Sequence, residues 1–279
     1  MEKREMKELK IGDLTAKLPI IQGGMGVAIS LSGLASAVAN EGGIGVIATV
    51  GMNMFEEDFS KDYLGSNIRA LRKEIRKARE STESTNGILG VNIMVALTNY
   101  ADMVTTSIEE GIDIIISGAG LPLNLPAFLK GKKGPKLVPI VSSGRAANII
   151  CKRWAEKYNY LPDAVVVEGP LAGGHLGFKI EQIAHPDYIL EKLIADVIKE
   201  VKLFEDKYKK SIPVIAAGGI YTGADIRKFL QLGASGVQMA TRFVTTYECD
   251  ASEKFKQAYI DSKKEDIVII KSPVGMPGR

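Results

Sequence analysis

Short apolar runs alternate with longer segments of helical period along nearly the whole chain, and this alternation restricts the fold more than any single residue does. LPIIQ at 18–22, IGVIAT at 44–49, ILGVNIM at 88–94 and DIIISG at 113–118 read as the first four strands. KLVPIVSS at 136–143, DAVVVEG at 163–169, IPVIAAGG at 212–219 and ASGVQMAT at 234–241 complete a set of eight. Between them the spacing predicts helices over 31–42, 65–80, 99–110, 122–130, 144–158, 187–208 and 222–232. Strands that are apolar on both faces and separated by helices belong to parallel sheets covered by helices. Eight such units in 279 residues fit a (β/α)8 TIM barrel of the α/β class. An open doubly wound sheet is the alternative, because periodicity does not show closure. No linker, low-complexity tract or charge block marks a boundary. Residues 1–279 are therefore expected to form a single barrel domain, with a helical segment inserted at about 179–210.

Bulk properties narrow the function classes. The net charge is only +3, and the densest basic cluster, RALRKEIRKAR at 69–79, has helical spacing with Leu71, Ile75 and Ala78 on one side. That is a solvated helix face, so nucleic acid is not an expected partner. MEKREMKELK at the N-terminus is charged and lacks the apolar core of a signal peptide. No apolar run of about 18 residues exists, so no membrane span is expected. Cys151 and Cys249 form no metal or disulfide pattern and read as reduced thiols of a cytoplasmic protein. The oligomeric state is open, with a homodimer among the options.

Chemistry is expected at the carboxyl ends of the strands, where barrels place their sites. Glycines gather there: QGGMG at 22–26, SGAG at 117–120, EGPLAGG at 168–174 and AAGG at 216–219. One such cluster would merely make a tight turn, but four on one rim let backbone amides approach a flat or anionic ligand. Loops after the last two strands commonly bind phosphate. Here Gly218 and Gly219 can expose amides, and Met239, Ala240 and Thr241 can add more amides and a hydroxyl. The physical inference is a phosphorylated ligand.

Taken in order, IIQGGMG, GVNIM at 90–94, AGGHLG at 172–177, IPVIAAGGI at 212–220 and GVQMATRF at 236–243 resemble the nitronate monooxygenase (2-nitropropane dioxygenase) family. FMN-dependent enoyl-acyl carrier protein reductases share most of these motifs. The resemblance implies FMN lying across the strand ends. Gln22, Gly23, Gly24 and Met25 would wall the ring, and Asn92 would hydrogen-bond it. Gly173 and Gly174 would allow close approach, while Gly218, Gly219, Gln238, Met239, Ala240 and Thr241 would hold the phosphate end. His175 matches the family's active-site histidine, placed to hydrogen-bond a nitronate or to take a proton from a nitroalkane. The small-molecule substrate would be a nitronate oxidised with O2 to a carbonyl compound and nitrite. An enoyl thioester reduced with NAD(P)H is the alternative, and a phosphate-ligand-binding barrel without redox activity is a third reading.

Two departures bear on these expectations. The resemblance implies a flavin-binding glutamine after AGGHLG, for which Gln182 is the candidate. The chain ends at KSPVGMPGR, so either the C-terminus is truncated or the family end varies. His185, followed by Pro186, reads as a turn or helix start. Cys151, beside Trp154 on a predicted helix, reads as core. The loop after the sixth strand holds no cysteine, which argues against an inosine monophosphate dehydrogenase.

Overall fold

The computed structural model describes residues 7–272 and 275–279. The first six residues, on which part of the signal-peptide reading rested, lie outside this range. The chain opens with a hairpin of β1 (Leu9–Ile11) and β2 (Leu14–Ala16), turned at Gly12 with φ 62°. The barrel strands follow: β3 (Ile20–Gln22), β4 (Ile44–Ala48), β5 (Ile88–Met94), β6 (Ile114–Gly118), β7 (Lys136–Val141), β8 (Val165–Glu168), β9 (Val214–Ala217) and β10 (Gly236–Met239). All neighbouring pairs are parallel, and β10 pairs with both β9 and β3. The ring is closed, which decides between the two expected sheet topologies in favour of the (β/α)8 barrel.

The connecting helices are α1 (Ser32–Asn40), α2 (Tyr63–Thr82), α3 (Tyr100–Glu109), α4 (Gly144–Tyr158), α5 (Ile180–Ile183), α6 (Leu190–Tyr208), α7 (Gly223–Gln231), α8 (Thr241–Val244) and α9 (Glu253–Asp261). A short antiparallel pair, β11 (Ile270–Lys271) and β12 (Pro277–Gly278), lies near the C-terminus. The helix predicted over 122–130 is instead a 3-10 turn, Leu125–Leu129, entered through Pro126. It is too short to build an α-helical ladder. In the segment at 179–210, α5 and a 3-10 turn at Pro186–Tyr188 precede α6, which is the crossover to β9.

Alternation along the strands sorts the apolar residues into two cores. Ile21, Ile44, Val46, Ile114, Ile116, Val138, Val166 and Ile215 fill the barrel interior. Leu9, Ile11 and Ala16 of the first hairpin join them, closing the end where the strands begin. The residues between them, such as Val91, Ile93, Val165, Val167 and Val237, pack outward against the helices. Close helix approach is built in: a Cβ on Gly45 would sit 1.8 Å from the Ala35 carbonyl oxygen, so β4 can carry α1 only with glycine there.

Candidate active site

Inward-facing positions alternate along each strand, and their last members form the mouth of the barrel. On β8 the series Ala164, Val166 ends in Glu168; on β5 it ends at Asn92 and Met94; on β10 it ends at Gln238. Glycines bring these together. A Cβ on Gly24 would lie 2.4 Å from Asn92 Cβ, and one on Gly23 would lie 3.3 Å from Gln238 Cγ. The Gly23 amide donates to the Met239 carbonyl at 2.7 Å, tying the first and last strands of the ring. The Thr49 amide and hydroxyl both donate to the Asn92 carbonyl, each at 3.1 Å. Gly23, Gly24, Asn92 and Gln238 are thus one cluster, with Met25 next in the chain.

Gln22 sits under this cluster. It is fully buried; its Nε2 donates to the Gly23 carbonyl at 2.6 Å and its Oε1 accepts from the Val46 amide at 2.9 Å. Its side chain braces β3 against β4, with both amide heteroatoms bonded to backbone. Met239 likewise packs outward among the helices, so only its backbone borders the mouth. Beyond Met25 the loop is held by Ser30, whose hydroxyl accepts from the Met25 amide at 2.9 Å. Val27 and Ala28 there have φ of 55° and 56°, a left-handed pair without glycine.

The loop after β8 carries His175. Gly173 and Gly174 have no heavy atom within 4 Å of an added Cβ, so the space over them is open. Glycine at 218 and 219 answers a different need. Both have positive φ, and a Cβ would meet the Ala172 amide at 2.9 Å or Leu171 Cβ at 3.0 Å. They let the β9 and β8 loops pack together. The segment that follows β9 is already satisfied, because Asp225 accepts from the amides of Tyr221 and Thr222 at 3.1 and 2.8 Å. These contacts hold the Asp225 carboxyl below its ordinary pKa. Across from it, Thr241 is exposed at the start of α8, and the Arg242 guanidinium lies 4.8 Å from the Tyr221 ring centre. Arg242 therefore places a positive charge at the rim that composition and spacing did not single out.

The C-terminal strand was not anticipated either. The Gly174 amide donates to the Arg279 carbonyl at 3.1 Å, Arg279 returns a bond to the Gly174 carbonyl at 3.0 Å, and the Leu176 amide donates to the Pro277 carbonyl at 2.8 Å. His175 is bridged to Gly278 and is held between these bonds. Gln182 does not reach the mouth: its amide accepts from the Lys179 amide and donates to the Tyr188 hydroxyl, both at 2.8 Å. His185 caps its own turn, as expected, by accepting from the Asp187 amide at 3.2 Å. Cys151 is fully buried, and burial pushes its thiol up to about 12.

Eight parallel strands closed into a ring, with polar side chains and glycines gathered at their carboxyl ends, define a (β/α)8 barrel protein, a class that places its active sites at that end. The chain belongs to the nitronate monooxygenase family, which it matches over residues 7–279; enzymes of this family are FMN-dependent oxidoreductases. A CoA-thioester dehydrogenase of Mycobacterium tuberculosis, (3aS,4S,5R,7aS)-5-hydroxy-7a-methyl-1-oxo-octahydro-1H-indene-4-carboxyl-CoA dehydrogenase, is 28% identical over 94% of this chain and 62% of its own length. A probable nitronate monooxygenase of Staphylococcus aureus is 29% identical over 95% of this chain and 76% of that protein. The solved structure of FabK from Thermotoga maritima is 31% identical, with a TM-score of 0.73 over 94% of this chain and 70% of that one. The chain thus spans 62% of the length of the Mycobacterium relative, and the same share of a similar Rhodococcus jostii protein.

The residues of the mouth fit FMN. His175 Nε2 and Gln238 Oε1 are buried atoms without a hydrogen-bond partner among the described residues. Buried polar atoms normally have a partner, and the described residues supply none for these two. The open space above Gly173 and Gly174 leaves room for a flat ring.

Proposed function

We propose that the protein is an FMN-dependent nitronate monooxygenase that oxidises alkyl nitronates with O2 to carbonyl compounds and nitrite. The observation that carries the reading is His175 Nε2, buried and without a partner among the described residues, in a barrel that matches this family over residues 7–279. FMN, when bound, supplies the redox chemistry. The chain's own residues bind and orient. Asn92 and Gln238 offer neutral amide groups to the ring edge, while the backbone around Gly218, Gly219, Ala240 and Thr241, with Arg242 nearby, receives the phosphate. His175, held by its bridge to Gly278, presents Nε2 to the substrate, donating a hydrogen bond to the anionic nitronate oxygen or accepting a proton from a neutral nitroalkane. In this reading the protein is cytoplasmic, consistent with two free cysteines and with no helix among the described residues long and apolar enough to cross a membrane.

A second reading, chemistry on an acyl thioester with a nicotinamide as co-substrate, is favoured by the carboxyl-CoA dehydrogenase relative. Anaerobic reduction of the FMN-loaded protein separates the two. Rapid bleaching of the flavin by propionate-3-nitronate, but not by NADH or NADPH, supports the monooxygenase. Bleaching by a nicotinamide, followed by reoxidation with a crotonyl thioester, overturns it. Failure to bind FMN at all would leave only a barrel without flavin chemistry.

A further inference from the structure

The C-terminal hairpin and the loop that carries His175 form one small sheet. β12 lies in the middle, with β11 on one side and residues 174–176 on the other. Gly174 and Arg279 exchange both amide-to-carbonyl bonds, at 3.1 and 3.0 Å, and the Leu176 amide donates to Pro277 at 2.8 Å. His175 and Gly278 stand between these bonded positions and are a pair of the non-hydrogen-bonded kind. In such a pair the Cα atoms approach to about 4.5 Å, and both side-chain positions lie on the same face. Ile270 is opposite Gly278 on the far side. One face of the sheet therefore carries the row His175, Gly278, Ile270, and the other carries Leu176, Pro277 and Lys271. Leu176 is buried in the main apolar core, which seats the second face on the barrel.

Gly278 is the gap in the first row. Its φ is not left-handed, so no turn demands glycine there. Packing does not demand it either: a Cβ would meet the Gly174 carbonyl oxygen and Ile270 Cγ1 at 3.4 Å each, which is ordinary contact. Gly45 and Gly24 differ, since a Cβ on them would fall 1.8 and 2.4 Å from its nearest neighbour. Gly278 is nevertheless buried, although Ile270 beside it is 55% exposed. Ile270 shields it from one side. On the other side its cross-strand neighbour is His175, whose Nε2 is itself buried and without a partner among the described residues. Aromatic side chains cover cross-strand glycines in this way, because the bare backbone offers a flat place to lie.

We propose that Gly278 is a positioning residue for His175: its missing side chain lets the imidazole lie across β12, with Ile270 as the stop beyond it. The assignment rests on the reading of His175 as the group that meets the substrate, and adds what fixes the ring. The backbone bonds of Gly174 and Leu176 fix the main chain at 175 but leave the χ angles of His175 free. A ring seated on β12 is confined to one rotamer, so Nε2 points in one direction before substrate arrives. Any side chain at 278 takes that seat and turns Nε2 away.

Two measurements on the full chain test this. In apo protein labelled at histidine and glycine, nuclear Overhauser contacts should join the His175 ring protons to the Gly278 Hα. The chain has only two histidines, so His185 is an internal reference. Gly278→Val should move the His175 ring signals and leave those of His185 in place. Gly278→Ala, whose Cβ is accommodated at 3.4 Å, should give a smaller movement in the same sense and serves where valine unfolds the hairpin. Absence of the ring contact in wild type, or His175 signals that coincide in wild type and the variants, would overturn the assignment.

The second measurement is turnover of ethylnitronate by FMN-loaded protein. Gly278→Val should lower kcat by roughly tenfold, as a misdirected group does. In the His175→Ala background the same substitution should change kcat by less than about twofold, because no ring is left to displace. An equal fall in both backgrounds would show a structural effect on the loop and sink the positioning role. If wild type oxidises no nitronate while the ring contact to Gly278 is present, the nitronate reading fails and the placement of the ring stands.

Discussion

At Val27 the backbone is left-handed with a β-branched side chain, and Ala28 beside it is left-handed too. For L-residues this conformation costs roughly 1–2 kcal/mol each, and such strain gathers where a site must be held in shape. The Val27 amide donates to the Val50 carbonyl at 2.7 Å, which locks the strained turn onto the loop after β4. Val27→Gly should therefore stabilise the protein by about 1 kcal/mol, since the side chain is 59% exposed and little burial is lost. Denaturant unfolding should show a higher midpoint at unchanged slope; a lower midpoint would mean that the turn is not strained. His175 tests the opposite property, function without stability. His175→Ala removes the imidazole of the AGGH motif but none of the backbone bonds that Gly174 and Leu176 make to the C-terminal strand. FMN affinity should stay within a few-fold, while nitronate turnover falls by roughly a hundredfold or more. Turnover at the wild-type rate would remove His175 from the chemistry.

At the scale of elements, α1 shows what a linear reading can and cannot find. Its apolar spacing predicts a helix over 31–42, and the helix is there at Ser32–Asn40. Its cap is not legible. Leu31 has no side-chain acceptor, and Asp250, 219 residues away in sequence, accepts from the amides of Leu31, Gly33 and Leu34 at 2.7, 3.0 and 3.1 Å. Gly33 makes room for it, since a Cβ there would sit 2.5 Å from Asp250 Oδ1. Asp250→Ala should destabilise the chain by about 2 kcal/mol, because three amides at a positive helix end lose a charged acceptor. Asp250→Asn should recover part of that loss, and thermal unfolding of the two variants measures both. If Asp250→Ala melts with wild type, the cap contributes nothing. The eight barrel strands were legible because burial on both faces makes each a continuous apolar run. The hairpin β1–β2 and the strand β12 were not, because three- and two-residue strands carry no period. For the mouth, glycine clusters and an isolated histidine pointed to loops that the fold places at the carboxyl ends of the strands. That the Gln22 and Gln182 amides bond within the chain, and that Glu168 ends β8 on the inward face, depends on register and on tertiary partners.

The molecule as a whole divides its work between the two ends of the barrel. Strand starts are sealed by the first hairpin, where Leu9 is 1% exposed and packs with Ile11 and Ala16 into the inner core. The fit is close: a Cβ on Gly236 would lie 3.1 Å from Leu9 Cδ2. Strand ends carry the amides, the glycines, His175 and Glu168. In barrels of this kind the first end is expected to govern stability and the second the ligand. Leu9→Ala should thus open a cavity in the sealed end and cost about 3 kcal/mol, seen as a fall in the unfolding midpoint. FMN affinity, measured well below that midpoint, should remain within about twofold of wild type, because a site at the far end shares no contact with residue 9 and distant changes are additive. A matching loss of FMN affinity would show instead that the inner core, from Leu9 through Val166 to Glu168, couples the plug to the mouth.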